Sequence, residues 1–131
     1  MASAAEHCRI EIKMPNDPRA IGAVRGALEH TARHLGLSTP EEEALADAAE
    51  HLLSAALAAL AAEAEITVTI QEHPNRIEIE LVRPGGSAGE WAELRKLRGI
   101  DRLEEENDAG HTRLKLVKFL PGGAGPPAHG R

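Results

Sequence analysis

The chain is poor in cysteine, in basic residues and in long apolar runs. Its 131 residues include one cysteine, Cys8, which excludes an internal disulfide framework. Lysine and arginine number 15 against 21 aspartates and glutamates, giving a formal charge of -6. Because nucleic-acid affinity depends largely on Lys and Arg contacts that release counterions, this balance argues against DNA or RNA as a partner.

No segment of the sequence predicts a membrane span or an export signal. The longest apolar stretch, residues 52–62, is interrupted by Ser54 and is well short of the ~20 residues that a spanning helix needs. The first residues have neither the basic nor the apolar region of a signal peptide. We therefore expect a cytoplasmic protein with no membrane partner. Its length suits one domain, residues 1–120, followed by a flexible Pro- and Gly-rich tail at 121–131.

Hydrophobic periodicity predicts an α+β fold. Apolar and polar residues alternate as in half-buried strands over residues 8–14, 66–70 and 77–81. The turn at 107–110 predicts a further hairpin, with strands at 103–106 and 112–119. Helical spacing of apolar residues predicts helices over 18–35, from Thr39 onwards, and over 91–97. The order β-α-α-β-β-α-β-β predicts a two-layer sandwich, with helices on one face of a mostly antiparallel sheet.

The starts of the first two helices carry capping signals. Asp17 is the expected N-cap of the first helix, with Pro18 in its first turn, and Gly36 marks its end. Thr39 is the expected N-cap of the second helix, because Pro40 and three glutamates follow it in the first turn. The many alanines of this second helix allow close packing against a sheet or another helix.

Several short stretches resemble the GHKL (histidine kinase-like) ATPase fold in its anti-sigma factor and serine-protein kinase branch. The resemblance covers roughly residues 8–120. The run Ala23-Val24-Arg25-Gly26-Ala27-Leu28 resembles the family's "ARxxL" helix, and residues 110–118, GHTRLKLVK, resemble its "GxTxLxLVK" strand. The second of these is the more specific match.

The family's second helix carries a Glu and, four residues later, an Asn that together serve catalysis and magnesium binding. The resemblance places Glu50 at the Glu, so Glu50 is the candidate catalytic base, whereas Ser54 stands at the Asn. Residues four apart share one helix face. In the glycine loop at 84–89, the resemblance implies that Gly85, Gly86 and Gly89 lie near the nucleotide phosphates. These glycines and Ser54 are the predicted nucleotide-binding residues, in vestigial form.

The purine-recognition motif of the family, D-x-G-x-G, is incomplete here. Alignment places Pro84 at the Asp and Ala88 at the second Gly, and no Asp lies between Asp47 and Asp101. Losing one hydrogen bond to a charged group costs roughly 1.5–3 kcal/mol, and losing a metal ligand adds to that. The sequence therefore predicts weak or no ATP binding, hence no nucleotide or metal cofactor.

Two functional hypotheses follow from this resemblance. The first is a regulatory protein-binding module that binds a sigma factor or a STAS-type antagonist. The resemblance then implies Arg19, Arg25 and Arg33 on the first helix as partner-binding residues. The second is a serine kinase of a partner-switching system, in which Glu50 activates a substrate hydroxyl and ATP and Mg²⁺ are the cofactors. The family commonly dimerises, while the residues themselves leave monomer and homodimer open.

Other chemically suggestive residues favour plain structural interpretations. His30 and His34 have the i, i+4 spacing of a metal site but no evident third ligand, so we predict no metal site. Cys8 occupies an apolar strand position typical of a small core residue. The acidic run at 103–108 is typical of a solvated strand and turn, or of a surface where a basic partner docks.

Overall fold

The computed structural model describes residues 9–58, 64–84, 96, 99–108 and 110–120. These form two helices and five strands. In chain order they are β1 (Arg9–Pro15), α1 (Arg19–His34), α2 (Thr39–Ala58), β2 (Glu65–His73), β3 (Arg76–Pro84), β4 (Arg102–Asp108) and β5 (His111–Phe119). The predicted helix at 91–97 apart from residue 96, the glycine loop after Pro84, Cys8 and the tail at 121–131 lie outside the described residues.

All five strands belong to one antiparallel sheet with the order β1-β2-β3-β5-β4. The predicted α+β class and antiparallel sheet are therefore confirmed. The register of the sheet places apolar residues of neighbouring strands opposite one another. One row runs through Ile12, Val68, Leu81 and Leu114. Because strand side chains alternate between faces, such rows give the sheet one apolar face.

The hydrophobic core joins this apolar face to both helices. Val24 and Leu28 of α1, like Leu45 of α2, are fully buried in the same cluster as Val68 and Leu81 of the sheet. Among the strands, α1 approaches β1 and β2. A buried Leu, Val or Ile side chain contributes roughly 1.5–3 kcal/mol, so this shared cluster is the main attachment of the helices.

The start of α2 corrects one prediction. Thr39 is the first residue of α2 and not its cap, because Ser38 takes that role. The Ser38 hydroxyl accepts a hydrogen bond from the Glu41 amide at 3.3 Å, and the Ser38 amide donates to Glu41 Oε1 at 3.1 Å. This reciprocal pair is a capping box, which the sequence Ser38-x-x-Glu41 encodes.

The first helix begins and ends close to its predicted limits. It starts at Arg19 with Pro18 at the N-cap position, so the prediction of Asp17 as N-cap is wrong by one residue. The Asp17 carboxylate nevertheless accepts a hydrogen bond from the Arg19 amide at 3.0 Å. It ends before Gly36, which has a φ of +91°. A backbone with positive φ is easily adopted by glycine and disfavours side chains with a Cβ.

Gly99 lies three residues before β4, where the chain passes close to α2. Its φ is also +91°, and a Cβ added there would collide with the backbone carbonyl of Ala44 on α2. Only glycine allows this close approach of two backbones. Gly99 therefore ties the entry to β4 directly against α2.

Candidate functional site

A cavity of about 400 Å³ lies along the exposed side of α2. The described residues that line it are Asp47, Glu50, His51 and Ser54. Their spacings of three and four residues place them on one face of the helix. The structure thus brings the predicted catalytic residue Glu50 and the predicted nucleotide-binding residue Ser54 to one cavity, together with two residues that the sequence analysis did not select.

Arg25 of α1 reaches across to the carboxylates beside this cavity. Its Nη1 donates to Glu50 Oε1 and to Asp47 Oδ1, each at 2.8 Å, and its Nε donates to Glu29 Oε2 at 3.0 Å. One guanidinium therefore contacts three carboxylates on two helices. The resulting Arg25 cluster, meaning Arg25, Glu29, Asp47 and Glu50, links α1 to the cavity on α2.

The environment of Arg25 keeps its guanidinium charged. The Arg25 side chain is 27% exposed, whereas those of Glu50 and Asp47 are 50% and 64% exposed. The hydrogen bond to Asp47 raises the pKa of Arg25, partial burial lowers it, and the bonds to Glu50 and Glu29 raise it further, for a net rise. A guanidinium so placed keeps its charge at every physiological pH.

His51 lines the cavity but is oriented by the helix itself. Its Nδ1 lies 3.1 Å from the carbonyl oxygen of Asp47. Because a carbonyl oxygen only accepts, Nδ1 is the donor in this bond and Nε2 is left for other contacts. The cavity therefore offers the Ser54 hydroxyl, the His51 imidazole and two carboxylates that form ion pairs with Arg25.

The three arginines predicted to bind a partner have different surroundings. Arg19 is 90% exposed and pairs with Asp17 at 2.7 Å. Arg33 is 68% exposed and donates at 2.6 Å to the nearly buried carboxylate of Glu42. Arg19 and Arg33 are separated by about 21 Å along α1. Together with the engaged Arg25, they form a dispersed row and not a single basic patch.

Of the predicted nucleotide-binding loop at 84–89, the structure describes only the first residue, Pro84. Pro84 is exposed and ends β3, where it pairs with His111 of β5. Gly85, Gly86 and Gly89 lie outside the described residues. Pro84 has no side-chain acceptor, so it cannot accept a hydrogen bond from a purine amino group as the carboxylate of the family's Asp does.

The guanidinium of Arg83, next to Pro84, is buried, which was not predicted from the sequence. Arg83 is 3% exposed, and its Nη1 donates to the carbonyl oxygen of Ala56 in the last turns of α2 at 3.2 Å. Beside it in the register is the fully buried Thr112, whose hydroxyl donates to Asn107 Oδ1 at 3.0 Å. The signal was present, since Arg83 continues the odd-numbered apolar row of β3.

Other members of the Arg25 cluster were also missed. Glu29 lies four residues after Arg25 on α1, which is the spacing of helical ion pairs. Asp47 lies three residues before Glu50 on α2. These spacings could have identified both residues as neighbours of the predicted ones, although neither spacing shows that the two helices meet at Arg25.

Within the described part of the chain, the structure shows neither a cluster of metal ligands nor a helix that could span a membrane. No group of three or more His, Cys, Asp or Glu residues in that part is arranged to hold a metal ion. His30 and His34 are both exposed on α1. Neither α1 nor α2 combines the length and the apolar character that crossing a membrane demands.

Comparison with known proteins gives no assignment. No protein-family model matches the chain, and no curated protein matches it significantly.

Proposed function

We propose that the chain is a regulatory protein-binding module, similar to anti-sigma factors, that binds a sigma factor or a STAS-type antagonist with weak or no ATP binding. The observation that carries this proposal is the contact of Arg25 with Glu50 and Asp47. A catalytic carboxylate must be free to accept a proton or to act beside a metal ion. Here an internal cation already bonds the carboxylate at that position.

The composition of the cavity supports the same conclusion. Ser54 offers a hydroxyl where the family carries an amide, and Pro84 offers no side-chain acceptor for a purine. Each lost polar contact weakens binding by roughly 10- to 100-fold, and two losses move a micromolar site toward millimolar affinity. What remains is a folded scaffold whose helices present charged surfaces to a partner.

Titration calorimetry with ATP and ADP, with and without Mg²⁺, tests the nucleotide part of the proposal. We expect no saturable binding up to millimolar nucleotide. The matched variant is Ser54→Asn combined with Pro84→Asp, which returns both missing groups at exposed positions and should tighten ATP binding by at least about tenfold. Micromolar binding by the unaltered chain would overturn the proposal.

The binding part is tested with purified sigma factors and STAS-domain proteins from the source organism. We expect one of them to bind the chain without nucleotide and with unchanged affinity when ATP is added. Arg19→Ala and Arg33→Ala should weaken this complex because both guanidinium groups are exposed. A complex that forms only with ATP and Mg²⁺ would exclude a nucleotide-independent module.

The second candidate function is an ATP-dependent serine kinase that uses Glu50 as general base. It is favoured by the exposure of half of the Glu50 side chain and by the shared cavity with Ser54. This function requires Arg25 to leave Glu50 when substrate binds. Phosphate transfer to a partner serine that is lost in Glu50→Gln and retained in Asp47→Asn would establish it.

A further inference from the structure

The outer edge of β4 presents backbone groups to which a further strand can bond. β4 pairs with β5 on one side and, among the residues that the structure describes, with no strand on the other. In an edge strand, alternate residues direct their amide N–H and carbonyl groups away from the sheet, and this row is a template for another extended chain. Many proteins recognise peptides by adding a strand in this way. The side chains of β4 determine which chain can be added.

The polar face of the sheet alternates in charge from strand to strand towards this edge. In one row of cross-strand partners, Glu80 of β3 lies opposite Lys115 of β5, which in turn lies opposite Glu104 of β4. In the neighbouring row, Arg113 of β5 lies opposite Glu106 of β4. Opposite charges placed directly across strands are stabilising, and like charges are destabilising. The alternation ends on an acidic strand, so its continuation is a basic one.

The carboxylates on the polar face of β4 keep charge available for such a strand. Glu106 is 74% exposed and lies 3.6 Å from Arg113, whose guanidinium also donates to Glu80 at the shorter distance of 3.1 Å. Glu104 is 48% exposed and lies 3.3 Å from Arg102, which is itself exposed. Exposed ion pairs of this kind contribute little to stability. Both carboxylates can therefore turn to a new cation at small cost.

A cavity of about 240 Å³ lies beside the same carboxylates. The described residues that line it are Glu104, Glu105, Glu106, Arg113 and Lys115. Pockets that enclose a drug-sized molecule measure about 300–1,000 Å³, so this cavity is small for such a ligand. The two cations in its wall already pair with carboxylates of β3. The cavity is thus suited to a long basic side chain that projects from an added strand.

We propose that β4 binds a basic, extended segment of a partner protein, which joins the sheet as a further strand. Its backbone bonds to the outer edge of β4. Two Lys or Arg residues, two positions apart in the segment, lie opposite Glu104 and Glu106. The proposal uses none of the residues assigned to the proposed function, so it does not depend on that function.

The same glutamates exclude other occupants of this edge. Two copies of β4 paired antiparallel about Glu105 would place Glu104 against Glu106, and like charges directly opposite one another are destabilising. Nucleic acids and anionic membrane surfaces carry phosphates, which these carboxylates repel. Repulsion of the wrong partners contributes to specificity as much as attraction of the right one.

Titration of fluorescent peptides, followed by anisotropy, tests the proposal. The probe is a peptide as long as β4 in which Lys and Val alternate, and its control carries Glu in place of each Lys. Two further peptides are N-methylated either at every Lys amide or at every Val amide, which keeps the charge and removes one set of donors. We expect the Lys peptide to bind saturably below millimolar concentration and the Glu peptide not to bind. One methylated peptide should bind at least about tenfold more weakly than the Lys peptide, and the other should bind equally well, because only alternate amides face β4.

Charge reversal at the edge supplies the matched variants. Glu104→Lys/Glu106→Lys should weaken binding of the Lys peptide by at least about tenfold, because two attractive cross-strand pairs become repulsive. The same variant should gain binding of the Glu peptide, which an unfolded chain would not do. Glu11→Lys on β1, at the opposite edge of the sheet, is the control and should leave binding of the Lys peptide unchanged.

Hydrogen exchange locates the bound peptide without any variant. The β4 amides should gain protection when the Lys peptide is added, whereas those of β1 should not. Absence of saturable binding up to millimolar peptide would overturn the proposal. Equal binding of both methylated peptides would also overturn it, since charge attraction without strand addition gives that result. None of these measurements involves nucleotide, sigma factors or α1, so their outcome is separate from that of the proposed function.

Discussion

The guanidinium of Arg25 on α1 lies 2.8 Å from the carboxylate of Glu50 on α2. The same Nη1 lies 2.8 Å from Asp47, so one nitrogen bridges two carboxylates one helical turn apart. The contact joins residues 25 positions apart in the chain. The contact thus links the two helices, and it engages Glu50, which the sequence predicted as the catalytic base.

A double-mutant cycle of Arg25 and Glu50 should show a coupling free energy between the two side chains. We expect Arg25→Met and Glu50→Gln each to lower the free energy of unfolding by about 1 kcal/mol, and the double variant to lose less than the sum. Urea unfolding measures all four forms. Arg19→Met with Asp17→Asn is the control pair, because the Arg19 side chain is 90% exposed and solvent should leave little coupling between the two. Additive losses for Arg25 and Glu50 would contradict the link.

Gly99→Ala should be strongly destabilising. Both the positive φ and the contact with the Ala44 backbone exclude a Cβ, so we expect a loss of about 3 kcal/mol or more in the free energy of unfolding. Gly36→Ala is the matched control. It has the same φ of +91° but no atom within 4 Å of the added Cβ, so it should lose only about 1 kcal/mol. Equal losses for the two variants would show that the contact with α2 is unimportant.

Ser38→Ala should remove the capping box of α2. We expect the free energy of unfolding to fall by about 1 kcal/mol, because the Glu41 amide loses its acceptor and the Glu41 carboxylate loses its orienting partner. Thr39→Ala, one residue further on, should have a much smaller effect. Thermal unfolding of both variants compares them directly, and a larger effect at Thr39 would restore Thr39 as the cap.

Glu78 should contribute to the loss of stability in acid. Burial raises its pKa, but the hydrogen bond from Arg76 and the charges of Lys115 and His73 lower it more, so the net pKa lies below its ordinary value of 4.5. A group with a lowered pKa stabilises the fold above its ordinary pKa, and this contribution is lost as pH falls through the folded pKa. Glu78→Gln should therefore be less stable than the unaltered chain at neutral pH.

The acid dependence itself provides the check. The difference in unfolding free energy between the chain and Glu78→Gln should shrink as pH falls below about 4.5. Urea titrations at neutral pH and in acid measure it. A difference that stays constant with pH would mean that the Glu78 charge contributes nothing.

The α+β class and the antiparallel sheet were predictable because apolar and polar residues alternate along most of the strands. β2 was predicted over 66–70 but extends to His73, since Glu72 stands at an apolar-face position and interrupts the apolar pattern while the pairing with β3 continues. The Ser38 cap was missed because Pro40 after Thr39 resembled a helix start. Both differences come from local signals that compete at the ends of elements.

The candidate site was predictable only in part. Glu50 and Ser54 were selected because the resemblance places them at the family's Glu and Asn, and residues four apart share one helix face. Their contact with Arg25 depends on how α1 crosses α2, and no spacing within either helix encodes that crossing. The resemblance implied Arg25 as a partner-binding residue, and this stays a prediction; the structure adds that its guanidinium pairs with Asp47 and Glu50 of α2.

The connection between β1 and β2 has a consequence for how the chain folds. β2 and β3, like β4 and β5, are joined by short turns, whereas β1 reaches β2 only after both helices have intervened. Closing that long segment costs the most chain entropy, so the hairpins should form early and β1 should join last. Substitutions in β1 would then mainly accelerate unfolding and leave the refolding rate nearly unchanged.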